Sequence, residues 1–452
     1  MISPLNPSLQ RKLGLFQSTV INMIDMVGIG PFIVLPLVID IMGGPYFIYA
    51  WIAGAVLSLI DAMIWSELGA AYPKAGGSYN FLSVAYGPKK WGSLFSFLYV
   101  WQTCIQAPLV VASGAIGFSQ YLEYLMPLGF YEKKMVSGLL VLLVTFLLYR
   151  KIETIGFISI TLWAGVIATL IWIIYGGVAH GNFFHTIKET NSNLTISTLF
   201  FVALGQASVK TVYSYLGYYN VCHIGGEIIN PQRNIPKSMF ISVIGIAVLY
   251  IAMNISIVSV IPWQDSRHSS FIVSTFFEKL YGKTIANFAT ITVLWVAVAS
   301  LFAVMLGYSR IPYAAAVDGA FFKIFARLHP RNDFPYVSLL ILGFTAFVFS
   351  LLFKLSEVIT AILAMRILVQ FIGQSIGVVL LRNRNRNAEL PYKMPFYPLP
   401  IIIVVLLWSL VFFSTGLSFV LSGLTVIFIG IIVYLIKSFQ TRNWPFNHEV
   451  ER

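Results

Sequence analysis

The sequence has very few charged residues for its length. Of its 452 residues, only 10% are Asp, Glu, Lys or Arg, whereas 58% are hydrophobic. A soluble globular protein has about 25% charged and about 45–50% apolar residues, so this chain lacks the polar side chains needed to cover a soluble fold of its size. The same composition excludes intrinsic disorder, which requires low hydrophobicity and high charge. An integral membrane protein is the class that remains.

Patterns that indicate catalysis are also scarce. No histidine pair has the helical spacing of a zinc site, and the sequence has neither a nucleophile elbow nor a phosphate-binding loop. The two cysteines, Cys104 and Cys222, lie in apolar runs, which favours packing over a disulfide framework. The sequence therefore argues against an enzyme, and it predicts no catalytic residue, metal or cofactor.

Long apolar runs fill most of the chain. A membrane-spanning helix needs about 20 apolar residues, and we place about twelve such runs, numbered here in chain order. They predict an all-α integral membrane protein with about twelve transmembrane helices. The runs are continuous rather than alternating, which is not the pattern of a β-barrel. The predicted limits are 14–39, 46–72, 91–125, 133–150, 155–179, 196–226, 238–261, 284–308, 335–353, 356–381, 397–416 and 418–437.

The basic residues lie mainly in the short segments between spans and indicate the orientation of the chain. With the N-terminus placed inside, 20 of the 29 Lys and Arg fall on the inner side, 7 fall on the outer side and 2 fall within spans. Cytoplasmic loops of membrane proteins have this excess, so both termini are predicted to be cytoplasmic in a plasma or bacterial inner membrane. The formal net charge of +12 therefore reflects topology rather than binding of nucleic acid.

Two spans contain residues that interrupt helices. In span one, Gly28, Gly30 and Pro31 fall within four positions near the middle of the membrane. Proline removes a backbone donor and clashes with the preceding turn, and glycine permits non-helical backbone, so the helix should unwind here. Span six has a matching irregular stretch at 213–220, which includes Gly217.

Paired interruptions in corresponding spans are typical of the binding sites of secondary transporters. The free amides of a half-helix N-terminus attract a carboxylate, and unwound carbonyls accept hydrogen bonds from an ammonium group. The pair therefore predicts a site for a zwitterion such as an amino acid. Close helix packing through small residues is the alternative interpretation of the glycines. Tyr213 and Tyr215 flank the second interruption, where gating or stacking and simple packing are both open.

Four ionisable residues lie near the middle of their predicted spans, namely Asp25, Asp61, Lys210 and Arg366. An unpaired charge is costly at this depth, so each should face the bundle interior or water. Asp25 adjoins the predicted site and is the candidate to titrate or to contact a cationic group. Arg366 and Gln370 are four residues apart and share one face of span ten. A proton or cation relay and a structural ion-pair network are both open interpretations.

Short motifs recur in order along nearly the whole chain. They are GIG at 28–30 with Pro36, ELGAAYP at 67–73, GGSY at 76–79, YG at 86–87, GE at 226–227, NPQRNIP at 230–236, SR at 309–310, DG at 318–319, LR at 381–382 and PYKMP at 391–395. Each motif is weak alone, but in this order and at this spacing the chain resembles the amino acid–polyamine–organocation family of secondary transporters. The resemblance implies transport by alternating access.

The resemblance also implies one transmembrane transporter domain over 1–452 with two inverted repeats of five helices. The repeats would be 14–179 and 196–381, with discontinuous helices one and six, and two terminal helices would lie within 397–437. Carried over by motif position, the amides of Ile29 and Gly30 would bind the substrate carboxylate, and the carbonyls of Met26, Tyr213 and Leu216 would bind its amino group. The expected substrate-binding residues are Asp25, Met26, Gly28, Ile29, Gly30, Tyr213, Tyr215, Leu216 and Gly217, and the candidates for coupling or gating are Asp61, Lys210, Arg366 and Gln370.

The chain departs from the family pattern at two points. Ile29 occupies the middle of the Gly-x-Gly motif, so a hydroxyl contact is lost there while the amide remains. Some proton-coupled members have a lysine in span five, but 155–179 contains none, so that device is absent or relocated to Lys210 or Asp25.

The predicted function is secondary transport of amino acids, driven by protons or by exchange, with the substrate, protons and the lipid bilayer as partners. Transport of polyamines or other organic cations is the first alternative, which the acidic Asp25 favours. A non-transporting amino acid sensor is the second alternative, although the sequence shows no soluble signalling domain.

Overall fold

Helices dominate the computed structural model of this chain, which describes residues 9–192, 197–354, 361, 362, 364–384 and 389–446. The α-helices are α1 (Leu15–Met26), α2 (Gly30–Met42), α3 (Phe47–Ala71), α4 (Ser78–Tyr86), α5 (Trp91–Leu122), α6 (Phe130–Leu147), α7 (Ile152–His180), α8 (Phe183–Ser192), α9 (Thr198–Tyr215), α10 (Asn220–His223), α11 (Pro231–Val260), α12 (Trp263–Ser266), α13 (Ile272–Tyr281), α14 (Lys283–Val317), α15 (Tyr336–Leu352), α16 (Gln374–Arg384), α17 (Leu399–Ser414) and α18 (Leu417–Thr441). A π-helical segment, Ile367–Gly373, directly precedes α16.

The helices that are long and apolar enough to cross a membrane coincide with predicted spans. Within the described residues, seven helices meet the length and hydropathy of a span, and the bent pair α1–α2 is an eighth. The shorter helices α6, α9, α15 and α17 occupy the four remaining predicted spans. The prediction of an all-α membrane protein with about twelve spans is confirmed, and residues 356–360 at the start of predicted span ten lie outside the described residues.

The spans differ in how much of their surface is enclosed by the protein. α3 packs against α11 and α9, and α5 packs against α14. α5 and α14 are mostly buried, whereas α18 is mostly exposed. The exposed apolar side chains on α18 suit a lipid-facing position. Because the bilayer core offers no hydrogen bonds, polar groups can be accommodated only on the enclosed helices.

α14 continues beyond the predicted end of span eight. The sequence predicts a loop from residue 309, but the helix ends only at Val317. Arg310 was expected in a cytoplasmic loop and instead lies within this helix, where its side chain is buried. That expectation is wrong because a hydropathy pattern places the end of a span at a charged residue. Here the charge of Arg310 is neutralised by a buried partner, so the helix continues past it.

Two isolated β-bridges join segments near the predicted cytoplasmic ends of the spans. Leu13 pairs in parallel with Ile228, and Ala75 pairs in antiparallel fashion with Ile224. The Leu13 amide also donates to the Glu227 carbonyl at 3.0 Å. These bonds fasten the start of span one, and the segment after span two, to the end of span six.

Candidate functional site

Span one is broken between α1 and α2. α1 ends at Met26, α2 begins at Gly30, and the two helices are inclined by 47°. Pro31 occupies the first turn of α2, where a missing amide hydrogen removes no helical bond. The first amides of any helix have no partner within the helix. The interruption predicted for span one is therefore present, and it leaves free donors near the middle of the span.

Span six is broken opposite the interruption in span one. α9 ends at Tyr215, Leu216 is extended, and Gly217 has a φ of +121°, a conformation that glycine adopts without strain. A Cβ atom at Gly217 would lie 2.8 Å from the Met26 nitrogen and 2.9 Å from the Asp25 carbonyl carbon. The two interrupted backbones are therefore in direct contact, and this contact requires glycine.

Buried side chains hold the two interruptions together. The Tyr250 hydroxyl of α11 lies 2.7 Å from the Met26 carbonyl oxygen and 3.3 Å from that of Ser214. The Asn22 Oδ1 atom accepts a hydrogen bond from the Val221 amide at 2.9 Å. These contacts satisfy backbone groups that the interrupted helices leave unpaired.

The two interruptions line a small cavity of about 80 Å³. Tyr215 lies away from the cavity, where its ring packs against Trp51 and Tyr250 at centroid distances of 6.0 Å and 5.3 Å. The other eight residues of the expected substrate-binding set line the cavity: Asp25, Met26, Gly28, Ile29, Gly30, Tyr213, Leu216 and Gly217.

Spans three and eight contribute further polar groups to the wall, from Ser113, Ser300 and Tyr308. The Tyr213 and Ser113 hydroxyls are 3.4 Å apart, and the Ser300 hydroxyl donates to the Asp25 carbonyl at 3.4 Å. Sequence reasoning did not identify either serine, because a serine within an apolar span gives no distinctive pattern.

Arg366 brings a positive charge from span ten to the cavity. Its Nε donates to the Gln370 Oε1 atom at 2.9 Å, and one Nη donates to the Tyr219 hydroxyl. The guanidinium carbon lies 5.1 Å from the ring centroid of Tyr219 and 5.8 Å from that of Tyr308, distances typical of cation–π contacts. The predicted neighbours Arg366 and Gln370 therefore do meet, and Gln370 belongs to the π-helical segment.

The other two coupling candidates lie away from the cavity. Asp61 of α3 is buried and accepts a hydrogen bond from the Tyr218 hydroxyl. Lys210 of α9 is partly exposed, and it belongs to none of the ion pairs between described residues. The structure thus separates the four membrane charges into two that face the cavity, Asp25 and Arg366, and two that do not.

Two ion pairs join spans at the predicted cytoplasmic end. Glu67 of α3 accepts from the Arg382 Nε at 2.8 Å, from its Nη2 at 2.5 Å and from the Met394 amide at 2.7 Å. Glu227 pairs with Arg310 at 3.1 Å, and each side chain is only 1% exposed. Both glutamates lie near the predicted cytoplasmic ends of their spans, where the sequence favours gating or anchoring contacts, but only the structure identifies their partners.

Known proteins that resemble this chain are transporters. The family model described as amino acid permease matches residues 13–439. The chain is 24% identical over 406 residues to cationic amino acid transporter 4 of Mus musculus. The aligned region covers 85% of this chain and 62% of that relative. It is 26% identical over 447 residues to the large neutral amino acids transporter small subunit 2 of Rattus norvegicus, covering 94% and 81%. It is 21% identical over 450 residues to a branched-chain amino acid permease of Bacillus subtilis, covering 95% and 94%. The chain therefore belongs to the amino acid permease family, whose members are transporters rather than enzymes.

Proposed function

We propose that this protein is a secondary transporter that moves amino acids across the membrane by alternating access, with the substrate bound between the two broken spans. The observation that carries the proposal is the direct contact between the two interrupted backbones at Gly217. The contact is so close that a Cβ atom added to Gly217 would lie 2.8 Å from the Met26 nitrogen. That contact brings the free amides of α2 and the unwound carbonyls of span six to one cavity. Paired interruptions of this kind form the substrate sites of many secondary transporters.

The substrate carboxylate binds the amides of Ile29 and Gly30 in this proposal. A helix N-terminus favours an anion because its amides are free and the helix dipole is positive there. A Cβ added at Gly30 would be in van der Waals contact with Tyr213 Cε1 at 3.5 Å, so a larger side chain there would crowd the space beside the amides. A Cβ added at Gly28 would lie 2.7 Å from the Ser300 hydroxyl oxygen, so that glycine is also required for packing.

The substrate ammonium binds the carbonyls of Met26, Tyr213 and Leu216, and the Asp25 carboxylate lies beside them. These residues all line the cavity. The Met26 carbonyl accepts from the Tyr250 hydroxyl at 2.7 Å and from the Gly28 amide at 3.2 Å, so an ammonium group that binds there replaces the longer of these two bonds. An ammonium group is a suitable donor because it has several N–H bonds and a charge opposite to that of Asp25.

The transporter is organised, in this proposal, as two inverted halves at 14–179 and 196–381, with the terminal spans within 397–437 outside the repeat. The protein lies in the cell membrane with both termini in the cytoplasm, as the distribution of basic residues favours. The ion pairs of Glu67 and Glu227 then tie the spans together on the cytoplasmic side.

Transport is driven by protons or by exchange of one substrate for another. Asp25 is the candidate proton carrier because it is the carboxylate that lines the cavity. Asp61 and Lys210 lie outside the cavity, and 155–179 contains no lysine. Asp25 and the cavity-facing Arg366 are therefore the residues through which coupling should first be sought.

Reconstitution into proteoliposomes tests the proposal. Uptake of each common amino acid is measured with and without an inward proton gradient, and with and without unlabelled substrate inside the vesicles. We expect saturable uptake of at least one amino acid, stimulated by the gradient or by the internal substrate. Folded and correctly inserted protein that transports none of them would refute the proposal, and binding without flux would favour a sensor.

A substitution at Gly30 tests the carboxylate site. Gly30→Val places a branched side chain beside the free amides, so substrate binding should be lost while the fold is retained. The matched control is Gly205→Val in α9, where an added Cβ has its nearest neighbour, Leu410 Cδ2, at 3.9 Å. Binding is measured by scintillation proximity in detergent. Wild-type affinity in Gly30→Val would contradict the assignment of the carboxylate.

Organic cations are the second candidate substrates, since Asp25 offers a negative charge to the cavity. Arg366 lines the same cavity and opposes a purely cationic ligand, which favours amino acids. If polyamines are the substrate, Asp25→Asn should abolish uptake of labelled putrescine. Amino acid uptake with no competition by putrescine would exclude this second candidate.

A further inference from the structure

Arg366 differs from Arg310 and Arg382 because none of the ion pairs between described residues gives it a carboxylate partner. Arg310 pairs with Glu227 at 3.1 Å, and Arg382 pairs with Glu67 at 2.5 Å. Arg366 is only 4% exposed, yet the ion pairs between described residues do not include it. A buried cation without a counter-charge is costly within a membrane, and such residues usually serve a ligand or ion pathway. The cavity that Arg366 lines is where its partner should be sought.

The guanidinium group is held in position by two hydrogen bonds to described residues. Nε donates to Gln370 and one Nη donates to Tyr219, while the aromatic rings of Tyr219, Tyr308 and Phe371 lie 5.1 Å, 5.8 Å and 5.5 Å from the guanidinium carbon. An arginine side chain has more N–H donors than these two bonds use. Its planar fork matches a carboxylate in bidentate geometry, so a carboxylate is the acceptor that best suits this position.

The cavity thus presents three sets of groups to a ligand. The free amides of Ile29 and Gly30 attract one anion, and Asp25 with the nearby carbonyls attracts a cation. Arg366 attracts a second anion. Asp25 and Arg366 line the same cavity without forming an ion pair, so a ligand placed between them is able to contact both.

We propose that this transporter prefers acidic amino acids and that Arg366 binds the side-chain carboxylate of the substrate. The proposal rests on the function proposed above, which assigns the α-carboxylate to Ile29 and Gly30 and the ammonium to the carbonyls beside Asp25. An acidic amino acid has one positive and two negative groups, which matches the three sets of groups in the cavity. A neutral amino acid leaves Arg366 without an anion, and a basic one places a second positive charge beside it.

A role limited to balancing the charge of Asp25 is the competing explanation for Arg366. Balancing the charge of Asp25 and binding the substrate predict different properties for the variant in which both Asp25 and Arg366 are neutral. If Arg366 only balances Asp25, then adding Asp25→Asn should restore the ratio of L-glutamate to L-glutamine affinity that Arg366→Gln lowers, because the ammonium contact of Asp25 is common to both ligands. If Arg366 binds the substrate side chain, the double variant still lacks that contact and should remain unable to distinguish L-glutamate from L-glutamine.

Competition experiments in proteoliposomes test the proposal. Uptake of labelled L-glutamate is measured against unlabelled L-glutamate, L-aspartate, L-glutamine, L-leucine and L-arginine, and the two acidic amino acids should compete best. Arg366→Gln should weaken competition by L-glutamate by at least about tenfold and leave that by L-glutamine nearly unchanged. Because the variant is expected to bind L-glutamate weakly, competition in Arg366→Gln is measured against uptake of labelled L-glutamine. Arg233→Gln, at an exposed arginine, is the matched control and should behave as wild type.

The outcomes separate this proposal from the proposed function. Uptake of neutral or basic amino acids that L-glutamate does not inhibit would overturn the acidic preference and leave amino acid transport intact. Absence of all uptake would overturn the transport function itself. Equal affinity for L-glutamate in wild type and Arg366→Gln, or rescue by the double variant, would also overturn the role of Arg366. If Arg366→Gln does not fold, Arg366→Lys keeps the charge without the bidentate fork and should lower the preference for L-glutamate over L-glutamine.

Discussion

Buried charges are arranged differently at the middle of the spans and at their predicted cytoplasmic end. At the predicted cytoplasmic end, Glu227 and Arg310 contact each other directly at 3.1 Å and neutralise one another. In the middle, Asp25 and Arg366 line one cavity and form no ion pair. A direct pair has no net charge, whereas each of the separated central charges can attract a ligand group of opposite sign. We therefore expect structure and closure to depend on the charges at the predicted cytoplasmic end, and substrate recognition to depend on the central ones.

Removing one member of the buried cytoplasmic pair should have the largest effect. Glu227→Gln leaves Arg310 buried without its counter-charge, and breaking such a pair costs about 3–5 kcal/mol. We expect a large fall in the thermal unfolding temperature in detergent. Combining Glu227→Gln with Arg310→Met should recover most of the loss, because no buried charge is then unpaired. A single variant as stable as wild type would show that the two charges do not depend on each other.

Breaking the second cytoplasmic pair should have a smaller effect on stability. Arg382 is 20% exposed, so after Glu67→Gln its guanidinium has access to water and the loss of free energy is lower. The expected change is greater opening of the cytoplasmic end, since Glu67 also accepts from the Met394 amide. A cysteine introduced at Ala71 in a cysteine-free background should react faster with an impermeant maleimide from that side. Unchanged reactivity would show that Glu67 does not help to close this end of the protein.

A single hydroxyl between the two interruptions allows a finer test of the central region. Tyr250→Phe deletes the 2.7 Å hydrogen bond to the Met26 carbonyl, a contribution of about 0.5–1.5 kcal/mol. Substrate affinity should fall several-fold with little change in folding. The matched control is Tyr215→Phe, because the Tyr215 hydroxyl has no hydrogen-bond partner in the described structure. If both variants bind substrate equally well, Tyr250 does not position the site.

An exposed ion pair should make the smallest contribution to stability among the ion pairs compared here. Lys12 pairs with Glu153, and their side chains are 40% and 49% exposed. Exposed pairs contribute about 0–1 kcal/mol, because water solvates both charges. Lys12→Gln should therefore melt and transport as wild type does. A marked loss would show that this contact, unlike most exposed pairs, takes part in closing the cytoplasmic end.

The interruptions could be predicted from the sequence because glycine and proline act locally. Gly28, Gly30, Pro31 and Gly217 each affect their own backbone, so the positions of the breaks follow from the residues themselves. The contact between the two breaks is different in kind. It depends on Gly217 approaching Met26 across the fold, and only the structure gives that approach.

The partners of the charged residues could not be predicted for a related reason. Glu67 and Arg382 are 315 positions apart in the chain, and nothing in their neighbouring residues links them. Arg310 was expected in a loop because hydropathy registers its charge but not the buried carboxylate that neutralises it. Tyr215 was expected near the substrate because it flanks the break, yet the turn of α9 directs its ring towards Trp51.

The π-helical segment Ile367–Gly373 sets the spacing between the two regions along the chain. It follows Arg366 directly, and α16, which carries Arg382, follows it. Each residue of an α-helix turns the chain by about 100°, and π-helical turns contain an additional residue. Deletion of one residue from this segment would convert it towards an α-helix, and it would rotate Arg366 relative to Arg382 by much less than the same deletion within α16. The π-helical segment therefore accommodates an extra residue while the cavity and the predicted cytoplasmic pair keep their alignment.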